Sequence, residues 1–216
     1  MGAGLSNESR AEAFGRIRAL YDAWSPEFVA AAGTTFQSGL VKASADARED
    51  PDASTRMCAA AAGMHDGDAL LDAGCGVGGP AVALLQAYPH ATLAGVTLSP
   101  VQAAMANQLA LDRGVAARAR FAVADYHELP FADATFDVVF YFECTGYSPD
   151  PAALYREAAR VLKPGGRVYV KDVFRRATDL DAEPSSAWSP LTRCGRACAP
   201  ALSMKPPCMR GQRALS

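Results

Sequence analysis

Residues 70–81, LLDAGCGVGGPA, carry the most chemically useful spacing in the chain. Gly74, Gly76 and Gly79 satisfy the G-x-G-x-x-G pattern, in which glycines let the backbone approach a nucleotide closely. That pattern alone is weak. Asp72, two residues ahead of Gly74, sharpens it. A pyrophosphate resting on the following helix N-terminus would be repelled by this carboxylate, whereas a ligand with a cationic group would be attracted. A dinucleotide site also places an acid about twenty residues further on, where it holds the ribose. Here that place reads GVTLSP (95–100), with Thr97 and no carboxylate. The turn therefore suits an adenosyl ligand bearing positive charge better than a dinucleotide.

Other reactive side chains carry a functional and a plain reading side by side. Cys75 offers a thiol for nucleophilic chemistry, but a small packing residue serves the same turn. His127 is either a general base or a solvent-facing loop histidine. His65 and His90 fall in turns between elements and need no role. Glu157, Arg160 and the charges near 112–120 read as solvated helix faces. Asp172, at the end of a strand, faces either a substrate or solvent.

The elements that must position these residues follow from hydrophobic period. Residues 7–32 show helical spacing interrupted at Ser25-Pro26, which predicts two short helices. GTTFQSG (33–39) is a loop, 40–50 is ambiguous, and 52–64 is a further helix. From residue 69 the period changes. Short apolar strands are expected at 69–73, 91–98, 119–126, 136–143 and 167–174. Helices separate most of them, at 79–88, from Ser99-Pro100 to about 113, and at 151–162. Serine as N-cap followed by proline at the first helical position is a sound helix start. KPGG (163–166) ends the last helix. This alternation gives an α/β fold with a doubly wound, mostly parallel sheet.

The chain has 216 residues, half of them hydrophobic, and a formal net charge of −2. That balance leaves no electrostatic footprint for nucleic acid. No apolar run approaches the roughly 20 residues of a membrane span. The first residues lack the basic start and apolar core of a signal peptide, so a cytoplasmic location is expected. Cys194 and Cys198 have no second pair or nearby histidine, so no metal is expected and the thiols read as free.

With the elements in place, the chain resembles the class I S-adenosylmethionine-dependent methyltransferases over roughly residues 50–174. The family's first motif, an acid and a small residue before a glycine-rich turn, is matched by Asp72 to Gly78. VADYHELPFADATFDVVF (123–140) is similar to the adenine-side loop and fourth strand. EAARVLKPGGRVYV (157–170) is similar to the last helix, turn and fifth strand. The resemblance implies a Rossmann-like methyltransferase fold with S-adenosylmethionine as cofactor. It further implies that the backbone at Gly74 and Gly76 lies against the cofactor and that Asp72 serves its methionine end. Thr97, Leu98 and Gln102 stand in for the missing ribose acid. Asp125 accepts the adenine amino group, with the Tyr126 backbone beside it, and Phe142 borders the sulfonium.

GVTLSPVQ (95–102) and FECTGYSPD (142–150) resemble the tocopherol and sterol methyltransferase subgroup. Its acceptors are prenylated phenols or alkenes that become carbocations. On that resemblance the acceptor is a small, mostly apolar metabolite: an isoprenoid, a quinone or phenol, or a polyketide-like molecule, of the kind found in secondary metabolism. Glu143 is then the candidate for acid/base work or cation stabilisation, or else it caps the next turn or touches the cofactor.

Three segments are expected: an N-terminal helical lid (1–50), a cofactor-binding core (51–181) and an irregular or disordered tail (182–216). The tail has no Val, Ile, Phe or Tyr, five basic residues and one acid, and prolines at 184, 190, 200, 206 and 207. It begins abruptly, as a shifted reading frame would. The family's terminal antiparallel hairpin is therefore expected to be missing or degenerate, leaving a sheet edge prone to self-association. Two alternatives follow: a cofactor-binding but catalytically impaired family member, and a nicotinamide-dependent oxidoreductase.

Overall fold

The computed structural model describes residues 9–36, 50 and 52–173. The tail, the hairpin and the frame shift expected of it, and the ambiguous 40–50 stretch except its last residue lie outside the described residues.

The first helix, α1 (Arg10–Ala32), opens with a capping box. The Ser9 hydroxyl accepts from the Glu12 backbone N–H, and the Glu12 carboxylate accepts from the Ser9 N–H. This satisfies two amide groups that a helix start otherwise leaves bare. The sequence predicts two helices here; one continuous helix runs through Pro26. An interior proline removes one backbone hydrogen bond and crowds the preceding turn, a cost of about 3 kcal/mol. Tertiary contacts hold the helix on both sides of it. Ser25 is buried against Gln102, Asp22 reaches Ser99, and Trp24 packs on Phe28 with ring centroids 4.4 Å apart.

Beyond α2 (Ala53–Ala61) comes β1 (Ala69–Ala73), then α3 (Gly79–Ala87), β2 (Thr92–Thr97) and α4 (Pro100–Asp112). Ser99 caps α4 as its sequence indicates, accepting the Gln102 N–H at 3.0 Å. The remaining elements are β3 (Ala119–Val123), β4 (Phe136–Phe142), α5 (Pro151–Val161) and β5 (Leu162–Lys171). The KPGG turn predicted to separate α5 from the last strand lies inside β5. Leu162 pairs with Phe136 and Arg167 with Val138, so the residues between them bulge out of the ladder. Proline lacks the ladder N–H, and Gly165 takes a positive φ of 80°, so neither can sit in regular pairing.

All strand pairs are parallel, in the order β3-β2-β1-β4-β5. Alternate side chains of the central strands feed two cores. Leu70, Val138 and Phe140 pack with α2, α3 and α4, while Leu71, Val139 and Tyr141 pack with Leu154, Ala158 and Val161 of α5. Strand order reverses between β1 and β4, and in open sheets of this kind the binding crevice lies at that reversal, outside the strand C-termini. Among the described residues, no helix is long and apolar enough to cross a membrane. Among them, too, no cluster of His, Cys, Asp and Glu is placed to hold a metal ion.

At the opposite end of the sheet Arg118 ties three elements together. Its guanidinium donates to the carbonyls of Leu85, Tyr88 and Ala91 at 2.8–3.1 Å. Losing it strands three carbonyls, so Arg118→Ala is expected to destabilise the protein by about 2 kcal/mol. Because this clamp is remote from the crevice, ligand affinity should not change; urea unfolding and calorimetric titration of one preparation check both halves.

Candidate active site

A cavity opens where β1, β2 and β4 end, roofed by α1 and the residues after it. Its lining includes Asp72, Gly74, Gly76, Thr97, Leu98, Gln102, Tyr126, Phe142 and Glu143. Nine of the ten residues singled out in the sequence thus meet in one place; Asp125 stands just outside the lining.

Asp72 sits in the centre of the sheet, paired in register with Gly95 of β2 and Phe140 of β4. Its side chain is 1% exposed, and neither carboxylate oxygen has a hydrogen-bond partner. Burial alone pushes its pKa from the ordinary 3.8 up to about 7. A buried, unpartnered acid on a cavity wall is costly unless a ligand completes it. A cationic group is the natural complement.

The turn beyond Asp72 is shaped by close approach. Gly74 has a φ of 91°, and a Cβ there would lie 2.6 Å from Cys144 Sγ. Gly76 has a φ of 53°, and a Cβ there would meet only Gln102 Nε2 at 4.0 Å, so conformation rather than crowding selects glycine there. Cys144 is buried, and its thiol points to the Ala73 carbonyl at 2.9 Å. Burial, with the nearby Asp72 charge, raises the thiol pKa of both Cys75 and Cys144, so neither is an activated nucleophile. Cys75 is the small packing residue of the two readings.

The groups expected to meet ribose and adenine are engaged by α1. Thr97 Oγ1 donates to Gln102 Oε1 at 2.7 Å, and Gln102 Nε2 donates to Ser25 Oγ at 3.0 Å. Ser99 Oγ donates to Asp22 Oδ1 at 2.5 Å. Asp125 accepts from the His127 backbone N–H and is paired with the Arg10 guanidinium. Burial would raise the Asp125 pKa, but the His127 and Arg10 contacts outweigh it and hold the carboxyl below its usual range.

His127 is not the solvent-facing loop residue of the plainer reading. Its ring is fully buried, 2.7 Å from Asp125 Oδ1 on one side and 2.7 Å from Ser148 Oγ on the other. Phe14 of α1 stacks on it. The imidazole joins the loop after β3 to the turn after β4. His65 and His90 are exposed, as their place in turns implies.

On the acceptor side, Glu143 leaves β4 with a φ of 53°, and its carboxylate is paired with Lys171. Asp172 accepts from the Thr145 N–H and hydroxyl at 2.9 and 2.5 Å, fixing the short 3₁₀ turn Thr145–Tyr147. It serves the turn and is absent from the cavity lining. Sequence reasoning missed Arg10, Tyr21, Ser25, Tyr147 and Lys171. Arg10, Tyr21 and Ser25 fall in the expected lid, Tyr147 in FECTGYSPD and Lys171 in the last strand, and only those places could have flagged them.

Residues 71–170 match the family model described as a methyltransferase domain. The 27-O-demethylrifamycin SV methyltransferase of Amycolatopsis mediterranei is 42% identical over 124 residues, which cover 56% of this chain and 45% of that protein. The chloroplastic tocopherol O-methyltransferase of Arabidopsis thaliana is 39% identical over 119 residues, 55% of this chain and 34% of that protein. The match therefore spans less than half the length of either relative. Among solved structures, the [4+2]-cyclase SpnF superimposes with a TM-score of 0.71 at 30% identity, covering 76% of this chain and 62% of that one.

The Asp72 carboxyl keeps its proton to about pH 7 in the fold but loses it near pH 4 in the unfolded chain. Ligand-free stability is therefore expected to fall by up to about 4 kcal/mol as pH rises through that window, and to level off above it. Asp72→Asn should flatten this dependence and exceed the wild type in stability at pH 8. It should also weaken S-adenosylmethionine binding by about tenfold or more. Urea unfolding at pH 5 and pH 8, with calorimetric titration, checks it; unchanged slope and unchanged affinity together would remove the carboxylate from the site.

Proposed function

We propose that this chain, whose residues 71–170 are a class I S-adenosylmethionine-dependent methyltransferase domain, transfers the methyl group of that cofactor to a small, mostly apolar metabolite. The observation that carries the reading is Asp72: a fully buried carboxylate without a partner, beneath a glycine turn, on the wall of the crevice. It fits a cofactor that is cationic at its methionine end and repels the phosphates of a nicotinamide cofactor.

In this reading Asp72 holds the methionine end while the backbone at Gly74 and Gly76 lies against the cofactor. Thr97, Leu98 and Gln102 take the ribose side once Ser25 yields its hydrogen bond. Asp125 and the Tyr126 backbone take the adenine side, with Arg10 as the competitor for the carboxylate. Phe142 borders the sulfonium. The cofactor itself supplies an activated methyl group, so the protein's contribution is to place donor and acceptor in line and to exclude water. Glu143 remains the candidate for acid/base work or for steadying positive charge on the acceptor, with Lys171 fixing its orientation.

Apolar wall residues support an apolar acceptor: Ile17 and Phe36 face the cavity together with Phe142. The likeness to the tocopherol and rifamycin enzymes points the same way and suggests a place in secondary metabolism. These relatives favour an active methyltransferase over a catalytically impaired one.

Calorimetry with S-adenosylmethionine and with NAD, followed by intact-mass screening of isoprenoid, quinone and polyketide pools, tests the proposal. S-adenosylmethionine should bind and NAD should not, and one acceptor class should gain a single methyl group. Binding of NAD in place of S-adenosylmethionine would overturn it.

A further inference from the structure

We propose that the paired hydroxyls of Tyr21 and Tyr147 anchor a hydroxyl group of the acceptor, so that the acceptor is an apolar molecule carrying a phenol or alcohol. This rests on the methyltransferase reading above and adds the acceptor's chemical class to it.

Tyr21 comes from α1 and Tyr147 from the 3₁₀ turn after β4, and both line the same cavity as Asp72 and Phe142. Their hydroxyl oxygens lie 2.7 Å apart, and the rings meet edge to face with centroids 5.9 Å apart. A phenol gives one proton and accepts through its oxygen. One hydrogen bond within the pair uses one proton, so the second proton and the remaining lone pairs are left for a ligand.

The charged residues lining this cavity near the pair are already matched. Arg18 lies 3.7 Å from Asp22, and Glu143 is paired with Lys171. The tyrosine pair therefore offers the uncommitted donor in a wall otherwise set by Ile17, Phe36 and Phe142. Burial, reinforced by the bond to Tyr147, pushes the Tyr21 pKa further up, so this phenol binds rather than abstracts a proton. Tyr147 is 44% exposed, so an acceptor hydroxyl replaces water on the pair and the preference over an analogue lacking it is that of one hydrogen bond, about tenfold.

The test uses the full chain saturated with S-adenosylhomocysteine and two matched probes, 2-geranylhydroquinone and its dimethyl ether. Wild type should bind the hydroquinone about tenfold or more tightly than the ether. Tyr147→Phe, Tyr21→Phe and the double variant should each bring that preference below about threefold while leaving S-adenosylhomocysteine affinity unchanged, which also reports that they fold. Three results would overturn the assignment: no binding of the hydroquinone, equal binding of both probes to wild type, or a preference that survives the double variant. Equal loss of both probes in the variants would make the pair a latch between α1 and the turn, and would overturn it too. Failure of S-adenosylhomocysteine to bind wild type would instead sink the methyltransferase reading itself.

Discussion

An acid at the centre of a parallel sheet is the constraint on which the site depends. Asp72 follows three apolar residues, Ala69 to Leu71, along β1, where both adjacent strands pair with it and burial is complete. Water cannot reach its oxygens, and no protein donor has been supplied. Such a group persists because the surrounding hydrophobic packing over-determines its position, as strained or unsatisfied groups at functional sites do. The two cores on either side of β1 and β4 provide that packing.

Around this fixed point, α1 acts as a clasp. Arg10 meets Asp125, Asp22 meets Ser99 and Ser25 meets Gln102, so one helix partners groups from the loops after β2 and β3. Phe14 stacks on His127, and Tyr21 reaches Tyr147 in the turn after β4. Thr97, Ser99, Gln102 and Asp125 are thereby partnered within the chain, whereas Asp72 is not. In the proposed reading a ligand beside Thr97 and Asp125 exchanges hydrogen bonds with α1, whereas at Asp72 it adds interactions where none exist.

The likeness to SpnF, a [4+2]-cyclase, shows that a shared sheet and crevice do not by themselves fix a reaction. In this chain the cavity wall facing Asp72 and the glycine turn draws on α1, the exit of β4 and the 3₁₀ turn.

By itself the sequence determined the alternation of strands and helices from residue 69 onward and the crevice to which nine of the chosen residues converge. These features are local: the buried strands read as apolar runs, the Ser99-Pro100 start needs only neighbouring atoms, and the glycine turn announces its backbone. It misread Ser25-Pro26 as a break because proline's penalty is local, while the contacts that override it come from α4, some 77 positions away along the chain. It placed KPGG outside the sheet because a bulge depends on the partner strand. It left His127 open because Asp125, Ser148 and Phe14 come together only in three dimensions. The pairing of Arg10 with Asp125 and of Tyr21 with Tyr147 spans 115 and 126 positions. No period or motif encodes such contacts; only the packing of α1 across the strand ends decided them.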